Sequence, residues 1–184
     1  MVEFTHSNGC NIICMDVPGR IECRGLILRT VTDACKLVIS DIRARGSLNF
    51  DFIDHFVSAV SEAFNNIVLH GYVGREPDTI YLQIENCPEW MRVILKDTGT
   101  SYDVSQAPTP ELDTLPESGL GIFIMRSCVD EVTYVAGSPN TLTLFKRLDG
   151  KGGSGLNDAL ALNCASEIVP TVGENSCGRP VVKT

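Results

Sequence analysis

The sequence predicts an α+β fold, a two-layer sandwich in which a mixed, mainly antiparallel sheet carries its helices on one face. Three observations predict it. Ile80, Leu82 and Ile84 alternate with other residues, and after a turn at 86–89 Met91, Val93 and Leu95 alternate again, as an antiparallel hairpin does. Val132, Tyr134 and Ala136, followed by Leu142 and Leu144, repeat the pattern around Ser138-Pro139-Asn140. The remaining apolar residues recur at helical rather than strand spacing.

In chain order, residues 1–23 form an irregular N-terminal segment, with turn signals at Asn8-Gly9 and Pro18-Gly19 and room for one or two short edge strands. Gly25 to Arg29 reads as a short strand. Val31, Cys35, Val38 and Ile42 then mark a helix that Thr30 or Thr32 can cap and Gly46 can end. A second helix runs from about Phe50 to His70, with an apolar stripe of Ile53, Phe56, Val57, Val60, Phe64 and Ile67 and a stop at Gly71. After the first hairpin, periodicity vanishes from Asp97 to Ser118. Pro108, Pro110 and Pro116 exclude a long helix there, and a loop of that length is usually functional, often a lid. Gly119 to Val129 is a third helix, and the second hairpin ends near Leu148. Residues 149–184 lack aromatic residues and contain Gly152, Gly153, Gly155, Gly173 and Gly178, the composition of a flexible tail. The domain proper is thus residues 24–148.

Bulk properties narrow the function. The chain has 184 residues, 43% of them hydrophobic and 21% charged, enough for one ordinary core. A net charge of −8 disfavours nonspecific nucleic-acid binding and docking on anionic membranes, both of which need Lys and Arg, and suits a basic protein partner. There is neither a secretory signal nor an apolar run long enough to span a bilayer, so the expected compartment is the cytoplasm. The eight cysteines are scattered through a normal hydrophobic chain, which favours reduced thiols, with Cys35 and Cys128 as core packing. His6, Cys10, Cys14 and Cys23 have ligand chemistry, but their spacing matches no zinc pattern.

Three short segments carry chemistry. Glu62, Asn66 and His70 are four residues apart and stack along one face of the second helix, opposite its apolar stripe. The Asn66 carbonyl can ligate magnesium, a hard cation that prefers oxygen, and Glu62 can accept a proton from a hydroxyl. Asp97-Thr98-Gly99 ends a strand, where the carboxylate can accept from an exocyclic amine such as that of adenine, and the glycine permits a close approach. Ser118-Gly119-Leu120-Gly121 opens the third helix, whose exposed N–H groups favour an anion such as phosphate, although the Gly-Lys-Ser/Thr ending of a Walker loop is missing. Singly, a solvated helix face, a common turn and a helix cap look the same.

In this order and on these elements, the three segments resemble the Glu-x-x-x-Asn, Asp-x-Gly and Gly-x-Gly boxes of the histidine-kinase-like ATPase superfamily. AVSEAFNNIVLHGY, SGLGIFIMRSCVDEVTY and NTLTLFKRL look most like its anti-sigma-factor serine/threonine kinase branch, and the likeness spans residues 26–148. The resemblance implies that Asn66 coordinates Mg2+ bridging the phosphates of ATP and that Glu62 is the general base. It implies that Asp97 binds the adenine amino group, with Gly99 giving close approach, and that Asn65 lines the pocket. Ser118, Gly119, Leu120 and Gly121 would cradle the phosphates, and Thr141 or Asn140 would reach adenine. The implied function is partner switching, in which an ATP-bound kinase holds a sigma factor and phosphorylates an anti-sigma-factor antagonist on serine or threonine; members often form homodimers. Where some members carry arginine just before the Gly-x-Gly box, this chain has Glu117. The neighbouring cations in sequence are Arg75, Lys96 and Arg126. The alternative is a non-catalytic, ATP-gated protein-binding module. A sensor histidine kinase is excluded, because His55 lies inside the ATP-site helix and no dimerising helical hairpin precedes it.

Overall fold

A computed structural model of the chain describes residues 2–43, 51–101 and 120–148, with backbone alone for 39–43. The strands are β1 (Val2–Ser7), β2 (Cys10–Pro18), β3 (Thr79–Asn86), β4 (Trp90–Asp97), β5 (Glu131–Val135) and β6 (Asn140–Arg147). They form one sheet in the order β1-β2-β3-β4-β6-β5, every neighbouring pair antiparallel. The helices are α1 (Arg24–Arg43), α2 (Asp51–Asn66), which runs into a π turn at Ile67–Gly71, and α3 (Leu120–Cys128).

The alternation in the strands builds the core. Ile80, Leu82 and Ile84 of β3, Met91, Val93 and Leu95 of β4, and Leu142 and Leu144 of β6 are fully buried on one sheet face. Phe56, Val60, Phe64 and Ile67 of the predicted α2 stripe are buried with them, and Ile53 and Val57 pack at its margin. Burying side chains of this size contributes about 1.5–3 kcal/mol each, which fixes α2 against the sheet centre.

Three expectations are corrected. The Gly25–Arg29 strand is the first turn of α1: Ile27, Val31, Ala34, Cys35 and Val38 are buried at helical spacing, whereas Leu26 beside them is 51% exposed. Thr30 and Thr32 do not cap this helix. They sit inside it, their hydroxyls donating to the carbonyls of Leu26 and Leu28. The N-terminal segment makes two long strands, and β2 lies inside the sheet, because Met15 and Val17 are apolar partners for Leu82 and Ile80. The hairpin turn between β1 and β2 is Asn8-Gly9, both at positive φ.

The thiol expectation also changes. Cys10 and Cys87 face each other one pair beyond the Asn11–Asn86 register and form a disulfide packed under Trp90. Cys10 is therefore withdrawn from the His6/Cys10/Cys14/Cys23 set, and the His6 ring bonds Asn11. Cys35 remains a free core thiol, its pKa pushed up to about 12 by burial.

The sheet face away from the helices holds a buried polar group. Glu85 and Arg92 are cross-strand partners with a 2.6 Å ion pair, and Gln83 donates to the second Glu85 oxygen. The Arg92 guanidinium also lies over the Trp90 ring. Arg92→Met leaves the Glu85 carboxylate buried without its cation, so it is expected to lower unfolding free energy by about 3–5 kcal/mol, measured as the urea midpoint.

Candidate functional site

The site lies at the end of the sheet where β4 stops, beside the C-terminal half of α2. Packing of α2 through its apolar stripe turns Glu62, Asn65 and Asn66 partly away from the core, and each is half-buried. Two of the three predicted segments meet at Gly121. A methyl group on Gly121 would stand 3.0 Å from Glu62 Oε2 and 3.4 Å from Asn66 Oδ1. The glycine thus keeps open a notch walled by a carboxylate oxygen and an amide oxygen, the donor chemistry that suits magnesium. Asn65 Oδ1 is buried with no hydrogen-bond partner among the described residues. Neither acidic nor basic side chains pair with Glu62 among the described residues.

The Asp-x-Gly segment is joined to the same helix. Asp97 ends β4 and is 3% exposed. Its Oδ1 accepts the Gly99 N–H at 2.7 Å, which folds the turn back on the carboxylate. Thr100 N–H donates to the carbonyl of Gly71, the last residue of the π turn, at 2.7 Å. Gly99 sits close to the Asp97 carboxylate and to the Gly71 backbone: an added methyl would lie 2.8 Å from Asp97 Oδ1 and 2.9 Å from the Gly71 oxygen. Gly99→Ala is expected to displace Asp97 and the turn and to lower the unfolding free energy by about 1–3 kcal/mol, measured as the urea midpoint. Thr98 between them is held by Asp78, whose carboxylate also accepts the Thr79 N–H. These bonds, the Thr79 N–H first, hold the Asp78 pKa below its usual value. A lowered carboxylate supports the fold above its unfolded pKa and loses that support as pH falls through its folded pKa.

The predicted residues do not all converge. Leu120 and Gly121 open α3 as described, and Ser118 and Gly119 lie outside the described residues, as does the 102–118 loop and Glu117. Thr141 pairs with Lys96, and strand alternation puts both on the face away from Asp97. Its neighbour Asn140 is the residue opposite Asp97. His70 is exposed. Of the three cations, Arg75 lies over the Tyr72 ring, Lys96 over the Tyr81 ring, and Arg126 is exposed on α3. Sequence reading missed Gly71 as the junction of two boxes. It registered only as a helix stop, and the contact depends on where β4 ends.

The family model described as the histidine kinase-like ATPase domain matches residues 28–146. The chain belongs to this family. Among relatives, it is 30% identical over 152 residues to the serine-protein kinase RsbW of Bacillus subtilis (strain 168), covering 78% of this chain and 90% of that one. It is 28% identical over 153 residues to RsbW of Bacillus velezensis, covering 79% and 91%. RsbW of Staphylococcus epidermidis is 31% identical over 120 residues, 60% of this chain and 76% of its own. The matched span holds Glu62 and Asn66 on a long helix, Asp97 at a strand end and Gly121 at the start of the next helix. No helix among the described residues is long and apolar enough to cross a membrane.

Proposed function

We propose that this chain is a protein serine kinase of the histidine kinase-like ATPase family that transfers the γ-phosphoryl group of ATP to a serine or threonine of an anti-sigma-factor antagonist and also sequesters a sigma factor. The observation that carries this reading is the notch at Gly121, which brings Glu62 and Asn66 to the start of the phosphate-facing helix.

Each residue then has one task. Asp97 accepts the adenine amino group. The N–H groups at the start of α3, from Gly119 to Gly121, face the phosphates, where the helix terminus favours anions. Asn66 offers its amide oxygen to Mg2+, with Asn65 beside it lining the pocket. Magnesium supplies charge neutralisation for the transferring group. Glu62 takes the proton from the attacking hydroxyl as that oxygen bonds the γ-phosphorus and the bond to the β–γ bridging oxygen breaks, releasing ADP. On the adenine side Asn140, opposite Asp97, stands in place of Thr141, which strand alternation turns to the other face.

The net charge of −8 suits basic partner surfaces and supports neither nucleic-acid nor membrane binding. A cytoplasmic setting and a homodimer complete the reading; the catalytic domain includes the N-terminal strands β1 and β2 as well as residues 24–148, because β2 lies inside the sheet, and 149–184 form a tail. The occurrence of Glu117 in place of an arginine favours one second reading, an ATP-gated binding module without transfer.

The deciding experiment incubates the purified chain with Mg-ATP and co-encoded antagonist candidates. Phosphoserine or phosphothreonine on one of them, located by mass spectrometry, establishes the kinase. ATP binding by calorimetry with no phosphorylated candidate establishes the module instead.

A further inference from the structure

We propose that Asn140 is the positioning residue for the Asp97 carboxylate, and that through it Asn140 sets the preference of this site for a purine bearing a 6-amino group. The inference rests on the nucleotide reading above and deepens it.

Asn140 is the first residue of β6, directly opposite Asp97, and is 1% exposed. Its Nδ2 donates to Asp97 Oδ1 at 3.1 Å and to the Gly99 carbonyl at 3.0 Å. Its Oδ1 accepts the Gly137 N–H at 3.1 Å and the Ser101 hydroxyl at 2.6 Å. The Gly137 amide can only donate and the Gly99 carbonyl can only accept, so these two contacts determine which way the side-chain amide faces. Both of its N–H donors and both acceptor sites on its oxygen are used. One buried side chain thereby ties together the end of β4, the Asp-x-Gly turn, Ser101 and the β5–β6 turn. A fully satisfied buried polar group of this kind specifies a single arrangement of its partners.

The consequence falls on Asp97. A carboxylate rotates broadly about its last torsion unless its oxygens are held. Here Oδ1 has two donors, the Gly99 N–H and the Asn140 Nδ2–H, which fix the carboxyl plane. Its Oδ2 has no partner among the described residues, which leaves an acceptor-only atom of fixed direction. That atom attracts the 6-amino donor of adenine and repels the 6-oxo acceptor of guanine. Removing Asn140 takes one donor from Oδ1 and orphans the Gly99 carbonyl, so the carboxylate loses its direction while the phosphate-side residues are untouched.

The test measures binding of Mg-ATP and of Mg-purine riboside triphosphate, which carries hydrogen in place of the 6-amino group. Wild type, Asn140→Ala and the isosteric Asn140→Asp are compared by calorimetry, with folding followed by circular dichroism. Wild type is expected to prefer ATP by about tenfold or more, the worth of a hydrogen bond to a charged group. Asn140→Ala is expected to lose about tenfold for ATP but less than about twofold for purine riboside triphosphate, and to raise KM for ATP rather than lower kcat. Asn140→Asp keeps the volume but sets two acceptors face to face. Its deficit against wild type is expected to be largest near about pH 8 and to shrink toward about pH 5.5, as the paired carboxyls take up a proton. Equal losses for both nucleotides in Asn140→Ala, or a pH-independent deficit in Asn140→Asp, would overturn the inference. A discriminating wild type with an equally discriminating Asn140→Ala overturns it alone, leaving the kinase reading intact. A wild type that does not discriminate overturns the adenine role of Asp97 as well.

Discussion

Glu62→Gln is expected to lower phosphoryl transfer by about 10²–10⁴-fold, the usual contribution of a positioned general base, while leaving Mg-ATP affinity nearly unchanged. Glutamine keeps the length of the side chain and its contact with Gly121, whose missing methyl would sit 3.0 Å from Glu62 Oε2. What it loses is the ability to accept the hydroxyl proton. Binding contacts common to the ground and transition states therefore survive, and the loss appears in kcat. The measurement is single-turnover transfer to the antagonist beside calorimetry of Mg-ATP. Transfer at the wild-type rate by Glu62→Gln would remove Glu62 from the chemistry. Weakened ATP binding with an unchanged transfer step would make it a structural wall of the pocket.

Asn66→Ala is expected to remove magnesium-dependent nucleotide affinity, by about a hundredfold or some 3 kcal/mol. Magnesium demands oxygen ligands in near-octahedral arrangement, and this amide oxygen is the neutral donor beside Glu62 in the Gly121 notch. The signature lies in the metal dependence. ATP affinity measured with EDTA should be the same for wild type and Asn66→Ala, and the two should diverge as magnesium is added. Parallel curves would show that Asn66 touches the nucleotide or nothing, and would move the metal to another donor. Since Asn66 is half-buried on a helix face opposite the core stripe, alanine there is a good helix former and leaves the fold in place.

Legibility in the sequence followed the range of the interaction. The hairpins at 80–95 and 132–144 and the α2 stripe were readable because each is a local repeat, of period 2 or 3.6, whose apolar members, the exposed Ala136 aside, end on one face. The three chemical boxes were readable for a similar reason: each is a short segment with its residue types at fixed spacing. The N-terminal strands were under-read because Asn11, Asp16 and the cysteines dilute the alternation of β2, whose place inside the sheet depends on Leu82 and Ile80 some 65 residues away. Gly25–Arg29 was misread because a run of three apolar residues fits either period. Burial of Ile27 together with Val31, Ala34, Cys35 and Val38, at spacings of three and four, decides for the helix.

By itself, the sequence determined the fold class, the family and the residues from which the site is proposed, Glu62, Asn66, Asp97 and Gly121. These follow from side-chain chemistry and from periodicities within one element. The tertiary structure alone decided which of those atoms meet. It seats Gly121 against Glu62 and Asn66, pins the Gly99 turn to Gly71, joins Cys10 to Cys87, and chooses Asn140 over Thr141 as the partner of Asp97. The physical reason is strand register. A shift of one residue between β4 and β6 would turn Asn140 to the other face and bring Thr141 to the carboxylate, and register is set by the buried pairs Val93–Leu144 and Leu95–Leu142 across the whole sheet, not by any residue near the site.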